Sequence, residues 1–494
     1  MPPPFTSFTF ILFVVFCFPI YWLLNGKTKL QNAFLLGISY FIYCYVMIWL
    51  GIILFISTII NYCCGYIIGL KIKKKTVKKK ILYLIILFNI LYLGVFKYFN
   101  FFSIEINNFL SIFGLNMNPI ILNLLLPIGI SYYTLQAISY NIEIYKNKNP
   151  PTKDFITFAL FLVYFPKMTA GPIEAPISLI PQISDKKRLD RKKLSSALQL
   201  ILLGYFMKIV IADFIGARIS DFYENPADYS STEALLIVWL FSLQIYADFF
   251  GYTNIARGVS KLFGIDLGIN FKHPYLSSNI RDFWRCWHIS FSQWLRDYLY
   301  IPLGGNRKGF LRSLLNIMII FLICGLWHGA GINFIIWGFL HGFFLIIHRI
   351  SLKMAQRFKF YKVLGLNNNV LPKKTRTFKN IYKFSGWLIT FQVVSFAWIF
   401  FHTNDFNTAI SIIKLAYSFT YVFKRQSEVN LLLFYLIFSF FFVFIIDFAQ
   451  YRLKTQEIFS NLHWLIRGFL YAFIIIMIIL FQFNVEALFI YEGY

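Results

Sequence analysis

Apolar runs of about 20 residues, each long enough to cross a hydrocarbon core, recur from residues 8–24 to residues 465–488. Short polar or basic loops separate them, and no interval between runs is long enough for a soluble domain of ordinary size. Lys and Arg concentrate in cytoplasmic loops of membrane proteins, so KIKKKTVKKK (71–80), DKKRLDRKK (185–193) and the stretch 353–383 read as cytoplasmic. Residues 103–118 and 221–233 carry acid without base and read as outward-facing. Threading the runs through these signs places the N-terminus outside, a hairpin over 31–70, and crossings at 81–101, 121–142, 195–215 and 234–256. Three last spans, at 385–402, 430–449 and 465–488, put the C-terminus outside as well.

Two stretches do not fit single crossings. Residues 155–182 begin and end beside basic loops and are broken by Pro166, Gly171, Pro172 and Pro176. Residues 314–350 are too long for one span and lie between Arg312 and Arg349. Both should enter and return on one side. Non-helical backbone at membrane depth is tolerated only where protein or a water-filled cavity satisfies its polar groups, so two such segments imply an internal chamber. The predicted fold class is an all-α integral membrane protein: a polytopic helical bundle of about ten crossings with re-entrant segments around that chamber. It forms one domain over 1–494.

Composition agrees with the pattern. The 494 residues are 58% hydrophobic, 21% aromatic and 14% charged, with a mean hydropathy of +0.64. A net charge of +26 is accounted for by loop lysines that set topology, which removes the case for a nucleic-acid partner. MPPPFTSFTF lacks the basic region and small-residue cleavage site of a secretory leader, so it reads as the start of the first span. The six cysteines, Cys63 and Cys64 among them, have no metal-ligand spacing and read as reduced packing residues. No Walker loop, Gly-x-Ser-x-Gly elbow, dinucleotide fingerprint or zinc site is present.

Four polar constellations remain. In RDFWRCWHISFSQWLRDYLYIPLGGNRKG, from Arg281, a continuous helix would put Trp284, Trp287, Phe291, Trp294 and Tyr298 on one face. Arg281, Arg285, His288, Ser292 and Arg296 would form a stripe about 130° away. Either this is an interfacial helix anchored by its tryptophans, or its aromatic face packs inward and His288 with its arginines floors the chamber. Guanidinium neighbours would bias His288 toward the neutral form. Next, GLWHGAGIN places His328 among Gly325, Gly329 and Gly331, which permit a helix break and locate the apex of the 314–350 excursion. That imidazole is either a packed core residue or faces an aqueous cavity. His341 and His348 follow, the first a candidate core residue and the second at the interface. Third, Gln244, Asp248 and Tyr252 align at four-residue spacing, and Asp248 should pair with a cation, an arginine of the 281–296 stripe. Fourth, Tyr133, Gln136 and Tyr140 share a face that lines a polar path or bonds between helices.

With these residues assembled, the chain resembles a membrane-bound O-acyltransferase, and within that superfamily the alginate O-acetyltransferase type. The similarity is carried by LPIGISYYTLQAISY, FPKMTAGPI, LQIYADFFGYTNIARG, DFWRCWHISFSQWLRDYLYIPLGGNR and GLWHGAGINFIIWGFLHG, with residues 282–342 as the signature region. The resemblance implies that His328 is the essential active-site residue and His288 the second catalytic histidine. It also implies a substrate-binding set of Trp284, Arg285, Trp287, Arg296, Asp248, Tyr246, Trp327 and Asn333. Cys286 stands where relatives usually carry arginine. The expected activity is transfer of an acyl group, acetyl in the first instance, to hydroxyls of an exported polysaccharide or a relay partner. The donor would be a cytoplasmic thioester, acetyl-CoA or an acyl-carrier, used as substrate, with no bound cofactor and no metal. Membrane lipid, the acceptor polymer and a periplasmic acetyltransferase- or esterase-like protein are the expected partners, and the cytoplasmic membrane the location. A teichoic-acid D-alanyl transferase, a polysaccharide or lipid transporter, and a structural scaffold are the alternatives.

Overall fold

The computed structural model describes residues 5–71, 74–115, 117–169, 171–357, 373–403, 405–418 and 426–482. Residues 358–372 of the basic stretch and 483–494, with the expected C-terminal end of the last span, lie outside the described residues. Among those described there is no β-strand. Two compact units divide the chain: Met1–Tyr205 with Gly251–Gly268, and Phe206–Phe250 with Ile269–Ile490.

The first unit contains α1 (Phe8–Leu23), α2 (Thr28–Val46), α3 (Ile48–Gly69), α4 (Lys75–Leu93), α5 (Phe99–Ser111), α6 (Ile130–Tyr145), α7 (Phe155–Val163), α8 (Pro176–Ser184) and α9 (Arg191–Tyr205). The stretch 155–182 is broken where its prolines and Gly171 require, into α7, a short turn at Phe165–Lys167 and α8. The expected polar face of α6 is buried and bonded. Tyr133 meets the Tyr92 hydroxyl at 2.9 Å, Gln136 accepts from Lys167, and Tyr140 accepts from the Thr152 amide at 3.0 Å. Of the two uses foreseen for that face, bonding between segments is the one realised.

The second unit contains α10 (Phe214–Glu224), most of α11 (Ser231–Leu262), α12 (Ile280–Cys286), α13 (Ile289–Leu295), α14 (Phe310–His328), α15 (Ile332–Arg357), α16 (Lys373–His402), α17 (Phe406–Ala416), α18 (Gln426–Leu453) and α19 (Trp464–Phe481). Nine helices among the described residues are long and apolar enough to cross a membrane, and three shorter apolar helices accompany them. The protein is a multi-pass helical membrane protein.

The stretch 314–350 folds back on itself as a helical hairpin and not as a shallow loop. Its arms α14 and α15 are each long enough to span, and α14 alone runs about 28 Å at the helical rise. Gly325 and Gly338 let the arms approach closely: a Cβ on Gly325 would run into the Phe334 carbonyl oxygen, and one on Gly338 into that of Phe321. The buried side of α14 follows Ser313, Asn316, Ile320, Cys324 and Trp327, a helical stripe that ends at His328.

Candidate functional site

α12 and α13 are not one helix. The chain leaves α12 at Trp287 (φ −101°, ψ 130°) and re-enters through His288 in the left-handed region (φ 41°, ψ 55°). A non-glycine residue there is strained by about 1–3 kcal/mol, so the surroundings must impose the break. They do so through the preceding segment, where the Lys272 amide donates to the Cys286 carbonyl at 3.0 Å and the Ile289 amide to the Asn270 carbonyl at 2.9 Å. Asn270 also accepts from the Ser290 hydroxyl at 2.6 Å.

The break overturns the single amphipathic helix and its cationic stripe. Arg285 and Arg296 remain outside, with 61% and 59% of their side chains exposed, each turned to a local carboxylate, Asp282 at 3.4 Å and Asp297 at 2.7 Å. His288 is 1% exposed and sits among rings: Phe249 at 4.8 Å, Phe291 at 5.1 Å and Trp327 at 6.0 Å between centroids. Neither of its nitrogens has a hydrogen-bond partner among the described residues. Burial alone pushes its pKa from 6.5 to about 3. The neutral form expected from the sequence is therefore reached through desolvation and not through guanidinium neighbours.

His328 closes α14 and is 4% exposed. Its ring meets Trp327 and Trp337 at 4.9 Å, Phe401 at 5.2 Å and Phe291 at 5.9 Å. Phe291 and Trp327 stack at 4.1 Å and 27°. That stacked pair touches His288 as well as His328, so the two histidines, 40 positions apart in the sequence, share one aromatic wall.

Around this centre the other expected residues take framework positions. Trp284 donates its indole N–H to His341 Nδ1 at 3.2 Å. Trp287 is buried against Phe283 at 5.5 Å and Trp398 at 5.1 Å. Tyr246 donates to an Asp447 carboxylate oxygen at 2.6 Å, tying α11 to α18. Asn333 donates to the Thr403 carbonyl at 2.9 Å, tying α15 to the end of α16. Among the described residues Asp248 forms no salt bridge to an arginine. Its partner is Lys208, whose Nζ lies 2.7 Å from carboxylate oxygens of both Asp248 and Asp213. Phe206–Asp213 is a π-helical stretch, whose wider turn lets residues five apart meet on one face.

Sequence reasoning missed Lys208, Asp213, Trp337, Trp398, Phe401 and Asp447. Lys208 carried a usable signal, a lone cation within LLGYFMKIVIADF, because ionisable residues inside apolar spans seek partners. The rings at 337, 398 and 401 carried none, since aromatic residues make up 21% of the chain.

Span-length helices, with a buried imidazole at the end of one and a second at the break between two short helices, against a shared aromatic wall, define a polytopic membrane protein with a histidine-centred site. The profile of MBOAT, the membrane-bound O-acyltransferase family, matches residues 76–370, and the chain belongs to that family. It is an O-acyltransferase of the alginate O-acetyltransferase type. The peptidoglycan O-acetyltransferase of Helicobacter pylori is 36% identical over 380 residues, covering 71% of this chain and 67% of the relative. A Pseudomonas aeruginosa protein named "Probable alginate O-acetylase AlgI" is 33% identical over 431 residues, covering 86% and 77%. The teichoic acid D-alanyltransferase of Streptococcus thermophilus is more distant, 28% identical over 294 residues, covering 56% and 68%.

Proposed function

We propose that this protein acetylates hydroxyls of a cell-envelope or exported polysaccharide, drawing the acetyl group from a cytoplasmic thioester, with His328 as the catalytic base. One observation carries the assignment: His328 ends a span-length helix at the aromatic wall it shares with His288, inside the segment matched by the family profile. The site would lie in the cytoplasmic membrane, with donor and acceptor reaching it from opposite compartments and the N-terminus outside.

In the reaction the acceptor hydroxyl oxygen attacks the thioester carbonyl carbon while His328 takes its proton. A C–O bond forms, the carbonyl oxygen gains negative charge, and collapse breaks the C–S bond. The imidazolium then returns its proton to the departing thiolate. His288, neutral and desolvated, has one N–H to offer the oxyanion, and a donor held in a dry site is worth more there than in water. The acceptor is either the polymer itself or a periplasmic relay protein that completes the transfer. Polymer acetylation is favoured over D-alanylation by the higher identity and coverage of the two acetyltransferase relatives.

The test is ester analysis of surface polysaccharide from cells carrying wild type or His328→Ala at equal membrane abundance, with the acid released by mild base identified. Acetate from wild type and its loss from H328A are expected. D-alanine would move the substrate assignment, and undiminished acetate from H328A would remove the base.

A further inference from the structure

We infer that His341, which the proposed reaction does not use, is a positioning residue that fixes the place of the His328 ring through Trp337. The inference rests on the reading of His328 given above. His341 is fully buried, and its Nδ1 accepts the Trp284 indole N–H at 3.2 Å. An indole nitrogen can only donate, so Nδ1 is bare and the His341 proton sits on Nε2. An imidazolium has no acceptor to offer, so His341 is neutral while this bond exists and cannot exchange protons through Nδ1 without breaking it. That separates it from the acid–base chemistry assigned to His328.

Its reach to the site runs through one side chain. Trp337 precedes His341 by four positions on α15 and so lies on the same helix face. Its ring meets His341 at 4.7 Å and His328 at 4.9 Å. Trp337 is fully buried, and its indole N–H has no hydrogen-bond partner among the described residues. Among the described residues its side chain is held by ring contacts: Trp398 stacked at 5.6 Å and 26°, Phe401 at 5.4 Å, Trp284 at 5.8 Å and the His341 imidazole. Of these rings, Trp398 is fixed by its indole N–H to the Tyr275 hydroxyl at 3.2 Å, and Trp284 and His341 by the hydrogen bond between them. Without the latter bond, only packing holds the Trp284–His341 side of Trp337.

Three substitutions separate the bond from the bulk. Asn places its amide oxygen where Nδ1 lies and can still accept from Trp284. Gln places its amide nearer Nε2, and Phe keeps a ring without an acceptor. At equal membrane abundance, H341N should retain at least about half of the wild-type polysaccharide ester. H341Q, H341F and W284F should each fall roughly 10- to 100-fold, the scale of a misplaced catalytic group, and W284F/H341F should fall no further than H341F. An activity-independent arm uses nitrogen NMR of protein labelled in its histidine rings. One histidine should show a bare Nδ1 and a protonated Nε2, lose that signature in W284F, and the His328 signal should move in H341F and stay in place in H341N. H341N as inactive as H341F, full activity in H341F, or a His328 signal indifferent to H341F would each overturn the inference. Undiminished ester in H328A would instead overturn the catalytic reading, leaving the NMR arm to decide the His341–Trp284 bond by itself.

Discussion

Two of the buried polar clusters in the second unit are built on opposite principles. At Lys208 a cation meets two carboxylates at 2.7 Å each, charge against charge, with 3% of the lysine side chain exposed. At His288 the neighbours are rings, and both nitrogens are without a hydrogen-bond partner among the described residues. A buried ion pair has used its capacity on the protein itself and fixes one helix against another. A buried imidazole surrounded by rings keeps its capacity for something that arrives. The sequence reading pairs Asp248 with an arginine of the 281–296 stripe and leaves His288 either on an interfacial helix or on the chamber floor, whereas the structure pairs Asp248 with Lys208 and encloses His288 in rings.

Substitutions at the two clusters should therefore fail in different ways. The largest effect on turnover is expected for His328→Ala, a loss of about 10²–10⁴-fold, the range of general base catalysis, with thermal stability of the purified protein near that of wild type. Next, His288→Asn should lower ester formation by about 10²-fold or more if its N–H meets the oxyanion. Asparagine tolerates the left-handed backbone that His288 adopts, so abundance should hold. The same variant tests burial by titration. With a folded pKa of about 3 against 6.5, His288 binds fewer protons in the fold than when unfolded. Wild type should thus lose stability as the pH falls from 6.5 toward 3, and H288N should show a shallower loss in melting curves taken across that window.

At the ionic cluster the failure should be one of folding. Lys208→Met leaves two carboxylates facing each other in an apolar span, and breaking a buried pair in this way costs about 3–5 kcal/mol. Reduced membrane abundance and a lower melting temperature are expected, with activity per folded molecule largely kept. A K208M variant that folds normally yet has lost all activity would erase the distinction between the clusters. Smaller again, Gly338→Ala should cost about 1–3 kcal/mol by forcing α15 away from the Phe321 carbonyl, read as a drop in melting temperature. The smallest effects belong to Arg285→Ala and Arg296→Ala, whose exposed pairs with Asp282 and Asp297 contribute no more than about 1 kcal/mol.

Much of this was legible beforehand, and particular residues show where legibility ended. Proline and glycine at 166, 171, 172 and 176 announced the broken segment of the first unit, because neither residue continues a helix without cost. Gly329 and Gly331 announced the turn beside His328. The break between α12 and α13 was not announced: residues 281–298 follow a helical period without interruption. Only the backbone bonds from Lys272 and Ile289, made to a segment up to 19 positions away, turn His288 inward and leave its arginine neighbours outside. Asp248 revealed that it needed a cation, but its partner lies 40 positions earlier on another helical segment.

The sequence by itself determined the membrane-crossing character of the chain, the approximate places of most of its spans and the position of His328 at a turn, though not the crossing expected at 121–142, where helix begins only at Ile130 and none of the span-length helices lies. All three follow from local quantities: the length of an apolar run, the charge of a loop, and the backbone freedom of glycine. Tertiary structure alone decided which rings enclose the two imidazoles, which cation answers Asp248, and that His341 accepts from Trp284. Those outcomes depend on how helices far apart in the chain pack together. Burial and hydrogen bonding are set by neighbours in space, and a helical period names the face of a residue without naming what that face will meet.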